Sequence, residues 1–163
     1  MNEERILIIK SSKLTSGTTN NYYYDISGII PLNAKNIKLQ CLKSLIPNEG
    51  VSYNANYIQV LIDFGCGNSN QFSIVRNNLL LMDIINVNQY YQTYDNAGAL
   101  HTFLAKNTEE NNTKNNLIHI LYSIPNNIIN VQLQNDLNTV LLLTGGGAPV
   151  NHIIVLKFNY DLI

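Results

Sequence analysis

Between Ser16 and Asn48 the chain alternates, and the alternation changes phase part-way. Tyr22, Tyr24 and Ile26 alternate with Tyr23, Asp25 and Ser27, the period of a strand with two unlike faces. Ser27-Gly28 breaks that strand, and Pro31, Asn33 and Asn36 mark the connection to the next. There Ile37, Leu39 and Cys41 alternate with Lys38 and Gln40, after which the apolar set moves to Leu42, Ser44 and Ile46. A phase change inside one strand predicts a β-bulge, or a strand whose burial shifts along its length. Pro47-Asn48 ends it.

The two-residue period recurs along the chain. Arg5–Lys10 reads as a short strand, apolar on both faces and so expected to be covered by a neighbour. Ser11–Asn21 reads as a polar loop. In Tyr57–Phe64, Ile58, Val60, Ile62 and Phe64 face one way and Tyr57, Gln59, Leu61 and Asp63 the other, a half-buried antiparallel pattern. Gly65–Asn70 is a turn, and Gln71–Arg76 a strand with Phe72 and Ile74 inward. Leu79–Val87 fits a buried strand or the start of a helix by periodicity alone; Ile84, Ile85 and Val87 favour strand. One helix is expected, Tyr94–Lys106, with Ala97, Leu100, Phe103 and Leu104 on one face and Asp95 or Thr93 as cap. Thr108–Asn116 is an exposed loop. Strands follow at Leu117–Ser123, Ile128–Gln134, Thr139–Thr144 and His152–Ile163; the last has Ile154, Leu156, Phe158, Tyr160 and Leu162 on one face. Nine or ten strands at this spacing, with no repeat and no linker, predict one domain over residues 1–163. The expected fold is an all-β antiparallel sandwich, a single jelly roll with accessory strands and one short helix.

Composition narrows the functional classes. Only 13% of residues are charged, and the net charge is −1 with no basic stripe. Binding nucleic acid by neutralising phosphates is therefore not expected. No apolar run reaches the length of a membrane span, and the acidic Met1–Glu4 start has no basic region of the kind that opens a signal peptide. Cys41 and Cys66 lack CxxC spacing and read as thiols in a reducing compartment, with a disulfide as the alternative. Asparagine makes up roughly one residue in six, which suits many short elements joined by turns and follows equally from AT-rich coding.

Candidate chemistry is thin. A metal site of the kind jelly-roll enzymes build needs two histidines one residue apart and a carboxylate on one strand face. His101, His119 and His152 form no such pair; His101 falls on the expected helix, and His119 is expected to alternate outward from Ile118 and Ile120. Gly145-Gly146-Gly147 lacks the following Lys-Ser/Thr and helix of a phosphate loop. Glu109-Glu110 are neighbours on a loop, not carboxylates held across a cleft. Asn111-Asn112-Thr113 is a glycosylation sequon without a secretory signal, and Ser11, Ser12 and Ser16 sit in no nucleophile elbow. No catalytic, cofactor-binding or metal-binding residue is assigned, and no cofactor is expected. The tyrosines Tyr22–Tyr24, Tyr53, Tyr57, Tyr90, Tyr91 and Tyr94 offer amphipathic contact surface, or simply strand propensity.

Four short patterns carry a resemblance: Ser16-Gly17-Thr18, the aromatic Tyr22–Tyr24, Pro31-Leu32-Asn33, and a strand ending in Leu45–Asn48. Together they resemble the small single jelly-roll capsid proteins of large double-stranded DNA viruses and virophages, the penton (vertex) and related minor capsid proteins. In those proteins a tyrosine-containing turn leads into a helix with paired leucines or aromatics. Gln89–Tyr91 and Leu100–Leu104 occupy that place here, with Asn88-Gln89 where a glycine is usual. The resemblance implies a non-enzymatic structural protein of the virion, assembled in the host cytoplasm. It further implies a homo-oligomer, a pentamer if a penton, that contacts other capsid proteins including the major capsid protein. The alternative is a carbohydrate- or receptor-binding module, lectin-like or a fibre head, stacking tyrosines on sugar rings; a metal-dependent jelly-roll enzyme is a third.

Overall fold

The computed structural model describes residues 2–47, 52–53, 55–65, 75–76, 79–87, 90–94, 100–104, 118–141, 143–144 and 151–163. In chain order the strands are β1 (Asn2–Lys10), β2 (Ser16–Thr18), β3 (Asn21–Asp25), β4 (Ala34–Pro47), β5 (Ser52–Tyr53), β6 (Tyr57–Asp63), β7 (Val75–Arg76), β8 (Leu79–Asn86), β9 (Tyr90–Tyr94), β10 (Leu100–Leu104), β11 (Ile118–Leu121), β12 (Ile128–Asn135), β13 (Leu143–Thr144) and β14 (Ile153–Leu162). No α-helix occurs among the described residues, and none is therefore long and apolar enough to cross a membrane.

Eight strands form the body. β1, β14, β4 and β11 lie side by side in one sheet, and β3, β12, β6 and β8 in the other, all antiparallel. The pairs β1·β14, β3·β12, β4·β11 and β6·β8 join the first strand to the last, the second to the seventh, the third to the sixth and the fourth to the fifth. A long hairpin rolled up on itself gives this pattern, and it is the jelly roll expected from the strand count. Accessory strands extend both sheets: the β9·β10 hairpin continues the end of β4, β2 joins β3, and β7 joins β8.

The inner faces bury one continuous core. Leu7, Ile9, Ile37, Leu39, Ile154, Leu156 and Phe158 from the first sheet meet Tyr22, Ile58, Val60, Ile62, Ile129, Val131 and Leu133 from the second. Each such side chain stabilises the fold by roughly 1.5–3 kcal/mol through loss of contact with water. The phase change in β4 is a bulge. Lys43 lies opposite Val155 and Cys41 opposite Leu156, so Leu42 has no opposite residue. The extra residue keeps Ile37, Leu39 and Cys41 on the core side before it and Ser44 and Ile46 on the core side after it. Gly17 sits at φ +105°, and a Cβ there would collide with the Asn21 carbonyl, so the Ser-Gly-Thr pattern is a backbone requirement of the β2–β3 turn.

Leu79–Val87 is largely strand, and its ambiguity has a physical cause. Leu80 and Met82 enter the main core, whereas Leu79 and Leu81 bury with Leu61 in a separate cluster. Burial on both faces erases the alternation that would have marked it. A further bulge lies here, with Asp83 opposite Val60 and Leu81 opposite Leu61, leaving Met82 over.

Several expectations are corrected. The described residues of the expected helix over 94–106 are strand: Tyr94 ends β9 and Leu100–Leu104 is β10, which pairs antiparallel with β9, while 95–99 and 105–106 lie outside the described residues. The 3-and-4 spacing was coincidental. Tyr90, Tyr91, Thr93 and Tyr94 favour strand, and the end of β4 offers β10 a ladder at Pro47 and Ile46. The loop expected over Ser11–Asn21 contains a 3-10 turn at Ser11–Lys13 and the strand β2. Thr139–Thr144 is not one strand. Val140 makes a single bridge to Gln134, and Leu143–Thr144 pairs instead with β5. Of Gln71–Arg76 only Val75–Arg76 is described, as β7; residues 71–74 lie outside the described residues.

Candidate functional surface

Two of the three histidines are inside the sandwich. In β11, His119 and Leu121 point into the core while Ile118 and Ile120 are exposed, the reverse of the outward His119 expected. The register with β4 explains the reversal: His119 lies opposite Leu39 and Leu121 opposite Ile37, both core residues, whereas Ile118 and Ile120 lie opposite Gln40 and Lys38. A four-residue strand takes its phase from the longer strand it joins. The His119 Nε2–H donates to the Leu81 carbonyl at 2.7 Å, beside the bulge in β8 where the ladder is interrupted. Burial lowers the His119 pKa, and the bond to Leu81 opposes the shift.

His152, just before β14, is almost completely buried. Its Nε2 shares a hydrogen bond with the Tyr22 hydroxyl at 2.8 Å, and the rings pack at 5.4 Å. Its main-chain N–H donates to Ser11 Oγ at 2.9 Å, and the Ser11 N–H donates to its carbonyl at 3.0 Å. Ser11 is therefore a clasp between the end of β1 and the start of β14. Burial pushes the His152 pKa down to about 4 and raises that of Tyr22 well above its usual range. Among the described residues Nδ1 of each buried histidine has no hydrogen-bonding partner, so no described group is arranged to accept a second proton from either ring.

The remaining sequence candidates do not converge with these. His101 stands in β10. Gly145–Gly147, Glu109-Glu110, Asn111–Thr113 and Cys66 lie outside the described residues. Cys41 is buried with its Sγ 3.4 Å from the Ser44 hydroxyl, across the β4 bulge. Among the described residues no three His, Cys, Asp or Glu side chains cluster as a metal site would require. Ser16 begins β2 on an exposed stretch. Nor do the tyrosines make one surface: Tyr22 is core, Tyr24 half-buried, and Tyr23 and Tyr57 about half exposed, while Tyr53 and Tyr90, Tyr91 and Tyr94 stand on β5 and β9.

What the fold assembles is a face. On the outer side of the first sheet, opposed residues form rows across its strands. Ile6, Lys157, Gln40 and Ile118 make one row, and Glu4, Asn159, Lys38 and Ile120 the next. Isoleucines thus stand on both flanking strands, Ile6 and Ile8 on β1 and Ile118 and Ile120 on β11, each between 44% and 52% exposed. The central strands between them are polar, and Lys157 pairs with Glu4 at 2.6 Å. Tyr122, 71% exposed, continues the β11 side, with Lys35 Nζ 4.8 Å from its ring centre. The sequence does not single out these isoleucines: β11 is too short to declare its phase, and Arg5–Lys10, apolar on both faces, reads as covered by a neighbour. At one end of the same face, Asn2, Asn36, Lys38, Asn159, Tyr160 and Asp161 line a shallow polar depression.

A scan against protein-family models and a search of the curated proteins both find no match for the chain.

Proposed function

We propose that this chain is a structural subunit of a virus capsid, at the vertex or in a minor position, which works by docking to copies of itself and to the major capsid protein. The observation that carries the reading is the complete eight-strand jelly roll with half-exposed isoleucines on both flanks of one outer sheet face. Aliphatic side chains at these positions gain little in a lone molecule and gain more when a neighbour removes them from water. The buried histidines fit the same reading, since each is spent on holding the sheets together. The patterns at Ser16–Thr18, Tyr22–Tyr24, Pro31–Asn33 and Leu45–Asn48 add the resemblance to capsid proteins. A jelly roll alone does not fix a function.

Light scattering and negative-stain imaging of the purified chain test the reading. A ring of five is expected for a vertex protein, and binding to the major capsid protein for either position. A chain that stays monomeric at high concentration and ignores the major capsid protein overturns it. The polar depression lined by Asn2, Asn36 and Asn159 favours a second reading, a saccharide-binding module, because amide side chains can bond sugar hydroxyls. Selective binding on a glycan array, abolished by Asn159→Ala, is the result expected from that alternative.

A further inference from the structure

We propose that β1 is a docking edge for a second copy of itself, paired antiparallel about Leu7. β1 is nine residues long and ends its sheet, and among the described residues only β14 pairs with it. Its two rows of backbone groups can be told apart. Antiparallel neighbours alternate between pairs that exchange both hydrogen bonds and pairs that exchange none. Extending the β1·β14 register by one residue sets Ser11 opposite His152, and there the Ser11 N–H donates to the His152 carbonyl. Counting back in twos, Ile9, Leu7, Arg5 and Glu3 bond to β14. Lys10, Ile8, Ile6 and Glu4 therefore turn their N–H and C=O groups to the free edge. A separate contact agrees: the Tyr24 hydroxyl, from the other sheet, donates to the Ile8 carbonyl at 3.4 Å.

The edge-facing row reads Glu4, Ile6, Ile8, Lys10, and those side chains also lie on the sheet's outer face. Turned antiparallel on a second copy about Leu7, the row is its own complement. Glu4 meets the other copy's Lys10 and Ile6 meets its Ile8, each twice. All four pairs are of the bonded type, so the ladder forms with both strands in place. Turning about Ile6 instead would set Glu4 against Ile8, a charge against an aliphatic side chain; the charges select Leu7. Glu4 keeps its ion pair with Lys157 on one side, and the Ile8 carbonyl has a second lone pair beyond the one Tyr24 uses. Edge strands are usually blunted by proline, bulges or inward-pointing charges. β1 has neither proline nor a shift in its register with β14, and its one central charge, Arg5, is drawn to Glu3 and Tyr160 of its own chain. The sequence reads Arg5–Lys10 as covered on both faces, and in a single chain Ile6 and Ile8 stay half exposed.

The contact is two-fold and does not rest on the capsid reading: whatever unit the chain builds through other surfaces, β1 pairing doubles it. Sedimentation equilibrium of the full chain against three variants is the test. Ile6→Pro removes an N–H that β14 does not use, so the fold is kept and the ladder broken; the mass is expected to halve. Glu4→Lys and Lys10→Glu each bring like charges together at both ends, and each is expected to weaken pairing about tenfold at low salt. An equimolar mixture of those two variants sets lysines against glutamates at both ends and is expected to regain wild-type strength as a mixed pair. Equal masses for wild type and Ile6→Pro at every concentration, or a mixture no stronger than its components, overturn the proposal. The mass ratio tests β1; whether the smaller unit is a ring of five tests the capsid reading separately.

Discussion

His119 and His152 both reach across the core from the first sheet to the second, yet they are held differently. His119 bonds a main-chain carbonyl, that of Leu81 in β8. A carbonyl only accepts, so the hydrogen sits on Nε2 and Nδ1 is left as a bare acceptor. His152 bonds a side chain, the Tyr22 hydroxyl of β3. A hydroxyl can donate or accept, so the contact leaves the ring tautomer open. In either arrangement this contact leaves one hydrogen, on Nδ1 or on the tyrosine oxygen, without an acceptor. A main-chain partner fixes both the geometry and the proton; a side-chain partner fixes only the geometry. Burial lowers both pKa values, but the Leu81 carbonyl opposes the shift at His119 and no described group opposes it at His152, so His152 is the more pH-sensitive of the two; the carbonyl that must stay paired makes His119 the harder to replace.

The largest effect expected is an acid limb in stability. His152 takes up a proton near pH 6.5 when unfolded and only near pH 4 when folded. Its contribution is fully present above pH 6.5 and is lost as the pH falls through 4, about 3 kcal/mol in all. His119 is shifted in the same direction and adds to the slope. Urea denaturation at a series of pH values between 7 and 4 measures this. In His152→Gln the level of stability will change, but the informative quantity is the slope, which should flatten to the share left by His119. An unchanged slope would show that His152 is not neutral in the fold.

Second in size is His119→Leu. The leucine fills the core but strands the Leu81 carbonyl at the bulge, at a cost of about 1–3 kcal/mol at pH 7. Because the variant has no proton to gain there, its deficit relative to wild type should narrow at pH 4.5. A deficit that stays constant with pH would mean that burial does not lower the His119 pKa.

The two histidines also show where the sequence could be read and where it could not. In β14 and β12 the alternation is long, and Ile154, Leu156, Phe158 and Tyr160, like Ile129, Val131 and Leu133, are core residues as expected. The bulge in β4 was legible because apolar residues on both sides of it declare the change of phase. β11 is too short to declare a phase, and its pairing with β4, a tertiary fact, put His119 inside. β10 is not legible in the sequence, because Leu100, Phe103 and Leu104 satisfy a helical spacing while a long-range ladder decides their conformation. The partners Tyr22 and Leu81 are 130 and 38 residues from their histidines. No local pattern carries a contact across such a separation.

The smallest effect expected is that of Tyr22→Phe, and it tests the comparison most finely. The substitution keeps the ring against His152 and removes only the hydroxyl. That hydroxyl is itself held out of water, as its raised pKa reflects, so its removal also removes its cost of burial. Nε2 is left as a bare acceptor with the hydrogen on Nδ1, and the loss should be only about 1 kcal/mol at pH 7, by the same denaturation measurement. The acid limb should survive, because burial, not the tyrosine, depresses the histidine. Loss of the limb in Tyr22→Phe would transfer the cause from burial to the hydrogen bond and remove the distinction between the two sites. A loss as large as that of His119→Leu would show that a side-chain partner is as hard to replace as a main-chain one.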